Sequence, residues 1–525
     1  MAQTVKELKE RRAQAEREWS LFKPLYDEAY DFAIPYRRGI RETGGGEKRV
    51  DRTFDMTAIA GAFRFAGKLQ QDLCPIGEQW LKLEPGPLVT DEKEREQLAR
   101  QLSIVSEQAS ALFMTGEWDN AFHEMGIDLS AGTGCMIMDD APQSFVRRGK
   151  LATFAAIPAE EVLLEPGLFG DVAGVYWKRK FAARLVKAQW PQAKLSDKLE
   201  RRIEQKPNDE IEIFQDTVLD YDTGLRTLNV YHADDQTPFY TRTYRASPWL
   251  TPRYFRVPGE TWGRGPILLA MPAIKTLNKA QELTLKAAAI TMLGIYTAVD
   301  DGVFNPHTAV VAPGKFWKVR SNGGVLGPSI AKMPEPRIDL SNIVVNELRM
   351  AVQTAMMDQS LPPDGAAVRS ATEILERTKR LASDHMGAYG RLVHEIIVPA
   401  GERALEIAYD ARVISVQIPI DQLLVKTRIT SPIAAARYAA RAQNSLQWAE
   451  IAGMLLGPAA DLVVNKVPLL MDIGRGLGVS ERHLVADAQR EEIMAQVQQL
   501  VANAMAAAQL AAQQQGGGAP APAAA

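Results

Sequence analysis

Apolar positions follow two periods along this chain. From Leu151 to Tyr254 they alternate with polar ones, as half-buried strands require; on either side they recur every three or four residues, as along one face of a helix. Val5–Tyr30 carries Leu8, Trp19, Phe22, Tyr26 and Tyr30 among many charges, which predicts an amphipathic helix with a sparse buried stripe and a solvated charged face. Asp55 is placed to cap a second helix ending at Leu73, with Phe63, Phe65, Ala66 and Leu69 as its apolar positions. Pro75–Pro87 reads as a connector, and Asp91–Thr115 and Trp118–Leu129 as two further helices. Gly132-Thr-Gly134 reads as turn chemistry opening a short strand, Cys135–Met138. Strands are then expected at Ala152–Ile157, Val172–Arg179, Ile211–Leu219, Leu225–Tyr231 and Phe239–Tyr244, with one inserted helix over Leu185–Gln205. The fold class that follows is α+β, with a mostly antiparallel sheet.

The period changes again after Tyr254. Pro258-Gly-Glu-Thr-Trp-Gly-Arg-Gly-Pro266 is an elbow, in which Gly259, Gly263 and Gly265 flank Arg264 and offer backbone conformations closed to other residues. A helix is expected from about Pro272 to Leu293, roughly 33 Å long. Ile295–Met333 is rich in Gly, Pro and β-branched residues, with a hairpin predicted about Pro313-Gly314, and Leu340–Met357 returns as a helix. Leu361-Pro-Pro-Asp-Gly365 forbids helix continuation, and Ser370-Ala-Thr-Glu373 restarts a helix with a capping box that runs to a kink at Pro399. The whole is one out-and-back protrusion from a larger body. Helices are expected again over Pro432–Leu456, Ala459–Leu470 and His483–Gln514, before a Gly/Pro/Ala tail.

Composition changes this picture little, because 46% hydrophobic and 24% charged residues are ordinary for a folded chain. Its 525 residues exceed what one core serves, so two to four domains are expected. Charge is more telling in its distribution. The chain is net −3, yet Arg264 to Arg349 holds ten basic and six acidic residues, a local +4. Lys275, Lys279 and Lys286 share one narrow sector of the first helix with Glu282.

Candidate chemistry is sparse. Gly61-Ala-Phe-Arg-Phe-Ala-Gly67-Lys68 misses the phosphate-loop spacing by one residue, ends in Leu69 and lies in a helical pattern, which argues against ATP binding. Asp139-Asp140 is a weak metal candidate, and His394-Glu395 lacks the second histidine of a zinc helix. No nucleophile elbow or Cys/His pairing is visible, and the two cysteines, Cys74 and Cys135, are expected to be buried, inert thiols. No enzymatic activity, cofactor or metal is expected. The densely charged Val5–Arg12 is unlike a secretory signal, and no segment reads as membrane-spanning.

The order Pro248-Trp-Leu-Thr-Pro-Arg253, the elbow, helix, β excursion, helix, loop and Ser370-Ala-Thr-Glu-Ile374 resembles the portal, or head-to-tail connector, proteins of short-tailed bacteriophages. Phe154-Ala-Ala-Ile-Pro158 with Glu161-Val162, and Arg428-Ile-Thr-Ser-Pro432, fit the same family; Trp262 stands where its pattern has Tyr. The resemblance covers roughly residues 20–440 and rests on motif order.

It implies a wing, stem, clip and crown architecture. Residues 1–263 and 372–432 would form the wing, 264–294 and 339–358 the stem, 295–338 the clip, 359–371 a tunnel loop, and 433–514 a helical crown or barrel before the tail at 515–525. A homo-oligomeric ring of about twelve copies is implied, enclosing a channel through which double-stranded DNA passes without sequence readout during packaging and ejection. Terminase, then tail adaptor and nozzle proteins, would dock on the clip at Lys315, Lys318, Arg320 and Lys332. Ser360, Pro362, Pro363, Asp364 and Arg369 would line the tunnel, and Lys275, Lys279, Lys286 and Arg349 would form a basic stripe on the stem. Major capsid and scaffolding proteins are further implied partners, at a capsid vertex of a virion assembled in the host cytoplasm. A packaging motor or nuclease subunit, and a helical adaptor or scaffolding protein without a channel, are the alternative readings.

Overall fold

A computed structural model describes residues 4–36, 53–115, 117–141, 146, 149–293, 296–298, 330–332, 338–357, 386–415, 423–429, 444–455, 469–470 and 473–474. Helix α1 (Val5–Ala33) opens on a capping box in which Thr4 and Glu7 each accept from the other's backbone N–H. It buries Leu8, Ala15, Trp19, Tyr26, Tyr30 and Ala33, close to the expected stripe. In α2 (Thr57–Leu73) the near-phosphate-loop glycine Gly61 is helical and lets Met356 approach, for a β-carbon there would lie 3.1 Å from Met356 Cγ. Strand β1 (Leu81–Pro85) then leads to α3 (Glu92–Thr115) and α4 (Trp118–Leu129). The expected connector over Pro75–Pro87 is therefore partly a strand. Its five alternating residues lie close between prolines, and its partner is far away in sequence.

Strand β2 (Met136–Asp140) pairs with β3 (Ala152–Ala156). Next come β4 (Val162–Pro166), β5 (Val172–Ala182), α5 (Arg184–Gln189), α6 (Asp197–Gln205), β6 (Glu210–Leu219), β7 (Arg226–His232), β8 (Tyr240–Tyr244) and the short β9 (Trp249–Leu250). Strands β4 to β8 form an antiparallel meander in chain order, while β3, β2 and β9 make a second sheet. The single inserted helix is in fact two. The chain breaks after Gln189, just before Pro191, whose missing N–H and ring disfavour helix continuation. Both helices cover one face of the meander through Val186, Trp190, Leu199 and Ile203 against Ile211, Ile213 and Val230. Helix α1 covers the other face and sends Arg12 to Asp216, which is fully buried. Burial pushes the Asp216 carboxyl pKa up, and the Arg12 guanidinium opposes it.

Helix α7 (Pro266–Leu293) runs outward; β10 (Tyr296–Ala298) and β11 (Ile330–Lys332) pair antiparallel near its end, and α8 (Ile338–Ala355) returns along it. The protrusion is thus an antiparallel helix pair whose inner face joins the main core through Ile274, Leu277, Val345, Val352 and Met356. Helix α7 begins six residues before Pro272, which it tolerates inside its second turn, and spans about 42 Å. Helix α9 (Met386–Leu392), a π-helical turn (Val393–Ile397) and α10 (Val398–Asp410) follow as one continuous rod. Farther along the chain, β12 (Val425–Ile429) closes on β1. Helix also covers residues 444–455. The predicted hairpin about Pro313-Gly314, the loop at Leu361–Gly365, the capping box at Ser370 and most of the C-terminal helical region lie outside the described residues.

Candidate functional site: the elbow and the helix pair

Two Gly-x-Gly segments cross at the root of the protrusion. A β-carbon on Gly263 would lie 2.4 Å from the carbonyl oxygen of Gly132, and one on Gly132 would lie 2.2 Å from that of Gly263. Gly265 meets the Ser130 carbonyl at 2.1 Å in the same construction. These glycines are needed for close approach of two backbones, which corrects the expectation that all three elbow glycines supply unusual torsions. Only Gly259 does so, at φ +90°. Likewise Gly132-Thr-Gly134 marks a crossing as much as a turn. Once the backbones touch, hydrogen bonds lock them: Gly265 N donates to Ala131 O at 2.8 Å and Ile267 N to Ser130 O at 3.1 Å.

Side chains finish the joint. Gly263 N donates to Thr133 Oγ1 at 2.9 Å, and the Tyr26 hydroxyl of α1 donates to Gly263 O at 2.7 Å while lying 2.9 Å from Thr133 Oγ1. Burial pushes the Tyr26 hydroxyl pKa up, so it stays a donor. Trp262 is fully buried, 4.2 Å from the Trp19 ring and 5.7 Å from Tyr26, both on α1. The elbow's angle is therefore set jointly by α1, the α4–β2 turn and its own glycines.

A buried ion pair also braces the elbow. Arg253 Nη2 meets Glu395 Oε1 at 2.6 Å, and the Arg253 backbone N–H donates to Glu395 Oε2 at 2.7 Å. Arg253 Nη1 also donates to the carbonyls of Gly170 and Thr261. Glu395 lies in the π turn, which Pro399 explains: proline has no N–H to give the carbonyl four residues back, and its ring crowds that carbonyl, here Glu395 itself. The expected kink at Pro399 is thus a π turn just before it, with Val398 N bonded to Val393 O.

Farther out, the strap before α2 ties both helices of the pair. Asn278 Oδ1 of α7 accepts from Phe54 N at 2.7 Å, and Arg349 Nη2 of α8 reaches Asp55 Oδ2 at 2.8 Å. Burial raises the Asp55 carboxyl pKa, but the Thr57 hydrogen bonds and Arg349 outweigh it and hold it below its usual value. Asp55 accepts from Thr57 N at 2.9 Å as a capping group does, although Met56 occupies the formal cap position. Lys275 pairs with Glu28 of α1, and Glu282 takes both Lys279 at 2.9 Å and Lys286 at 2.6 Å. Each of the four cations of the expected basic stripe is therefore paired. Two members bind neighbouring elements and two share one carboxylate. Arg264 likewise pairs with Glu260 at 2.6 Å.

The described residues hold no group of three or more His, Cys, Asp or Glu placed for a metal ion. Asp139 and Asp140 instead face Arg403, whose Nη2 lies 3.6 and 3.2 Å from them. Arg403 is fully buried, so a guanidinium already stands where a cation was weighed. Both cysteines are free and buried, and burial raises their thiol pKa values. No helix among the described residues is long and apolar enough to cross a membrane.

The model for bacteriophage head to tail connecting proteins matches residues 5–485. The chain belongs to that family. No curated protein matches it. Head-to-tail connecting proteins are structural components of the phage particle, and the mixed helix and antiparallel sheet of this connector agrees with the expected α+β class. Of the connector's predicted contact residues, Lys332 lies in β11, while Lys315, Lys318, Arg320, Ser360, Pro362, Pro363, Asp364 and Arg369 lie outside the described residues. Sequence reasoning gave no role to Thr133, Asn278 or Glu395, and read Arg253 only as the end of a motif. A legible signal did exist: two Gly-x-Gly segments, each beside polar or aromatic residues, are what a backbone crossing requires.

Proposed function

We propose that this connector assembles as a ring of about twelve copies around a channel that conducts double-stranded DNA into the capsid and out again. The helix pair is the stem, the meander and α1 belong to the wing, 295–338 is the clip, 359–371 the tunnel loop, and 433–514 the crown. The clip docks terminase and later the tail adaptor and nozzle proteins; the capsid vertex, with major capsid and scaffolding proteins around it, is the setting.

The observation that carries this reading is the outer surface of the helix pair. Leu283 and Leu285 on α7, with Ile343, Val344 and Met350 on α8, are exposed in the lone protomer. Exposed apolar side chains on more than one side of a projecting helix pair suit protein contacts, and a ring supplies one from each neighbouring copy. Near-neutral charge supports a conduit over a clamp, since each phosphate neutralised by the protein would strengthen binding and slow sliding.

Native mass spectrometry and negative-stain images of the purified chain test it. Rings of about twelve with a central hole are expected. A chain that stays monomeric at high concentration, or an assembly with no hole, overturns the reading. Shortening Pro362–Ala367 should spare ring formation and lower the amount of DNA packaged; a shortened chain that makes no rings would show that loop to be structural.

A further inference from the structure

The rod that carries Glu395 changes character along its length. Helix α10 buries Ala400, Arg403, Ala404, Leu405, Ile407 and Ala408, whereas among the described residues of α9 only Leu392 is buried. Helix α9 reads Met-Gly-Ala-Tyr-Gly-Arg-Leu, and its Gly387 and Gly390 have nothing within 4 Å of an added β-carbon. No close approach requires them, and glycine weakens a helix interior because it gives up the most backbone freedom on folding. Few buried apolar contacts, with two glycines in seven residues, are what a locally weak element shows.

A hydrogen bond holds this helix down, and a repulsion works against it. The Tyr389 hydroxyl donates to Asp72 Oδ2 of α2 at 2.5 Å, and burial pushes the tyrosine pKa up, so it stays a donor. Against that tie stands Arg391, whose charged surroundings are Glu395, Arg253 and Arg256. Arg253 already holds both Glu395 oxygens, and Arg253 and Arg256 each donate to the Gly170 carbonyl, so three guanidiniums crowd about one occupied carboxylate. Arg391 Nη1 is shut off from solvent with no hydrogen-bond partner. A docked α9 therefore keeps a cation partly desolvated, unpaired at one nitrogen and beside two like charges, all of which favour its leaving.

The pivot is already built. Arg253 pins Glu395, and beyond it the buried face of α10 is fixed in the core, so movement is confined to the residues before Glu395. Within the π turn each bond spans one residue more than in an α-helix, as Val398 N to Val393 O does, and such turns are places where a helix bends. We propose that α9 is a latch, which pivots at the start of the π turn between this docked position and an undocked one in which Arg391 reaches water. The Tyr389–Asp72 hydrogen bond keeps it closed, and repulsion of Arg391 by Arg253 and Arg256 pushes it open. Every contact involved lies within one copy, so the latch does not depend on the ring reading.

Hydrogen–deuterium exchange on the full chain tests it, with α10 as the internal control for folding. Peptides spanning 386–392 should exchange about tenfold faster than those spanning 400–410, or more. Tyr389→Phe keeps the ring and removes the tie, and should speed exchange of 386–392 by about a further tenfold while leaving α10 unchanged. Arg391→Gln keeps hydrogen-bonding capacity without the charge and should slow that exchange by about tenfold. Protection of 386–392 equal to that of α10 in the wild type, no response to either substitution, or faster exchange in Arg391→Gln overturns the latch. The last result would show the Arg391 guanidinium to be a tie in its own right.

Discussion

Gly263 and Gly259 stand four residues apart in the elbow and do opposite jobs. An alanine methyl at 263 meets the Gly132 carbonyl oxygen at 2.4 Å and Arg253 Cβ at 2.9 Å, and the carbonyl cannot retreat without opening the crossing. Gly263→Ala should therefore cost about 3 kcal/mol or more in denaturant unfolding. At Gly259 nothing lies within 4 Å of the added carbon, so Gly259→Ala bears only the left-handed torsion, about 1 kcal/mol. Equal losses at the two sites would refute the crossing. A titrating residue gives a second prediction. Burial raises the Glu402 carboxyl from its ordinary 4.5 to about 7, with Arg226 opposing. Between those values the folded chain keeps a proton that the unfolded chain has released, so stability falls as pH rises through the window and is level above it. Glu402→Gln should abolish that slope and leave the variant more stable than wild type by about 1–3 kcal/mol at pH 8. Urea midpoints at about pH 5 and about pH 8 decide it, and a parallel slope in the variant would assign the effect elsewhere.

At the scale of elements, the rod from Met386 to Asp410 is where the physics is most constrained. Pro399 breaks one helical bond, the π turn absorbs the break, and Glu395 is carried onto Arg253. Removing the acid strands a buried guanidinium, so Glu395→Ala should cost about 3–5 kcal/mol, whereas Asp55→Ala, whose partner Arg349 is part-exposed, should cost about 1 kcal/mol. Equal losses in denaturant titrations would count against the buried pair as the elbow's main brace. Which of these elements could be read beforehand depended on the range of the forces that make them. The long helices α1, α3, α4, α7 and α8 announce themselves by periodicity, and the antiparallel strands by alternation. Strand β1 was hidden because its pairing with Val425–Ile429 is set by chain returning from a distant segment. The π turn was hidden because sequence shows a proline and not which carbonyl it displaces. The partners of the basic stripe were hidden for a similar reason: only α1 and the strap bring Glu28 and Asp55 alongside Lys275 and Arg349.

For the whole molecule, those paired cations bear on how the proposed conduit would hold DNA. Association with duplex grows with the phosphates neutralised, and the logarithm of affinity falls by about 0.9 per phosphate for each logarithm of salt. Among the described residues of the helix pair, Lys275 is matched by Glu28 and Arg349 by Asp55, while Lys279 and Lys286 share Glu282 and keep one net charge. A conduit of the proposed kind, built this way, would meet the duplex with a shallow and diffuse attraction. Anisotropy of a labelled duplex with assembled connector, titrated across salt, should give a slope of magnitude below about 2. Glu282→Gln would free both lysines and should steepen that slope by about one unit in a ring whose subunit count is unchanged. A wild-type slope near that of a true clamp, on the order of 6 or more, would mean that the channel wall grips DNA through residues other than these, and the paired lysines would then be only a means of keeping α7 soluble until its neighbours cover it.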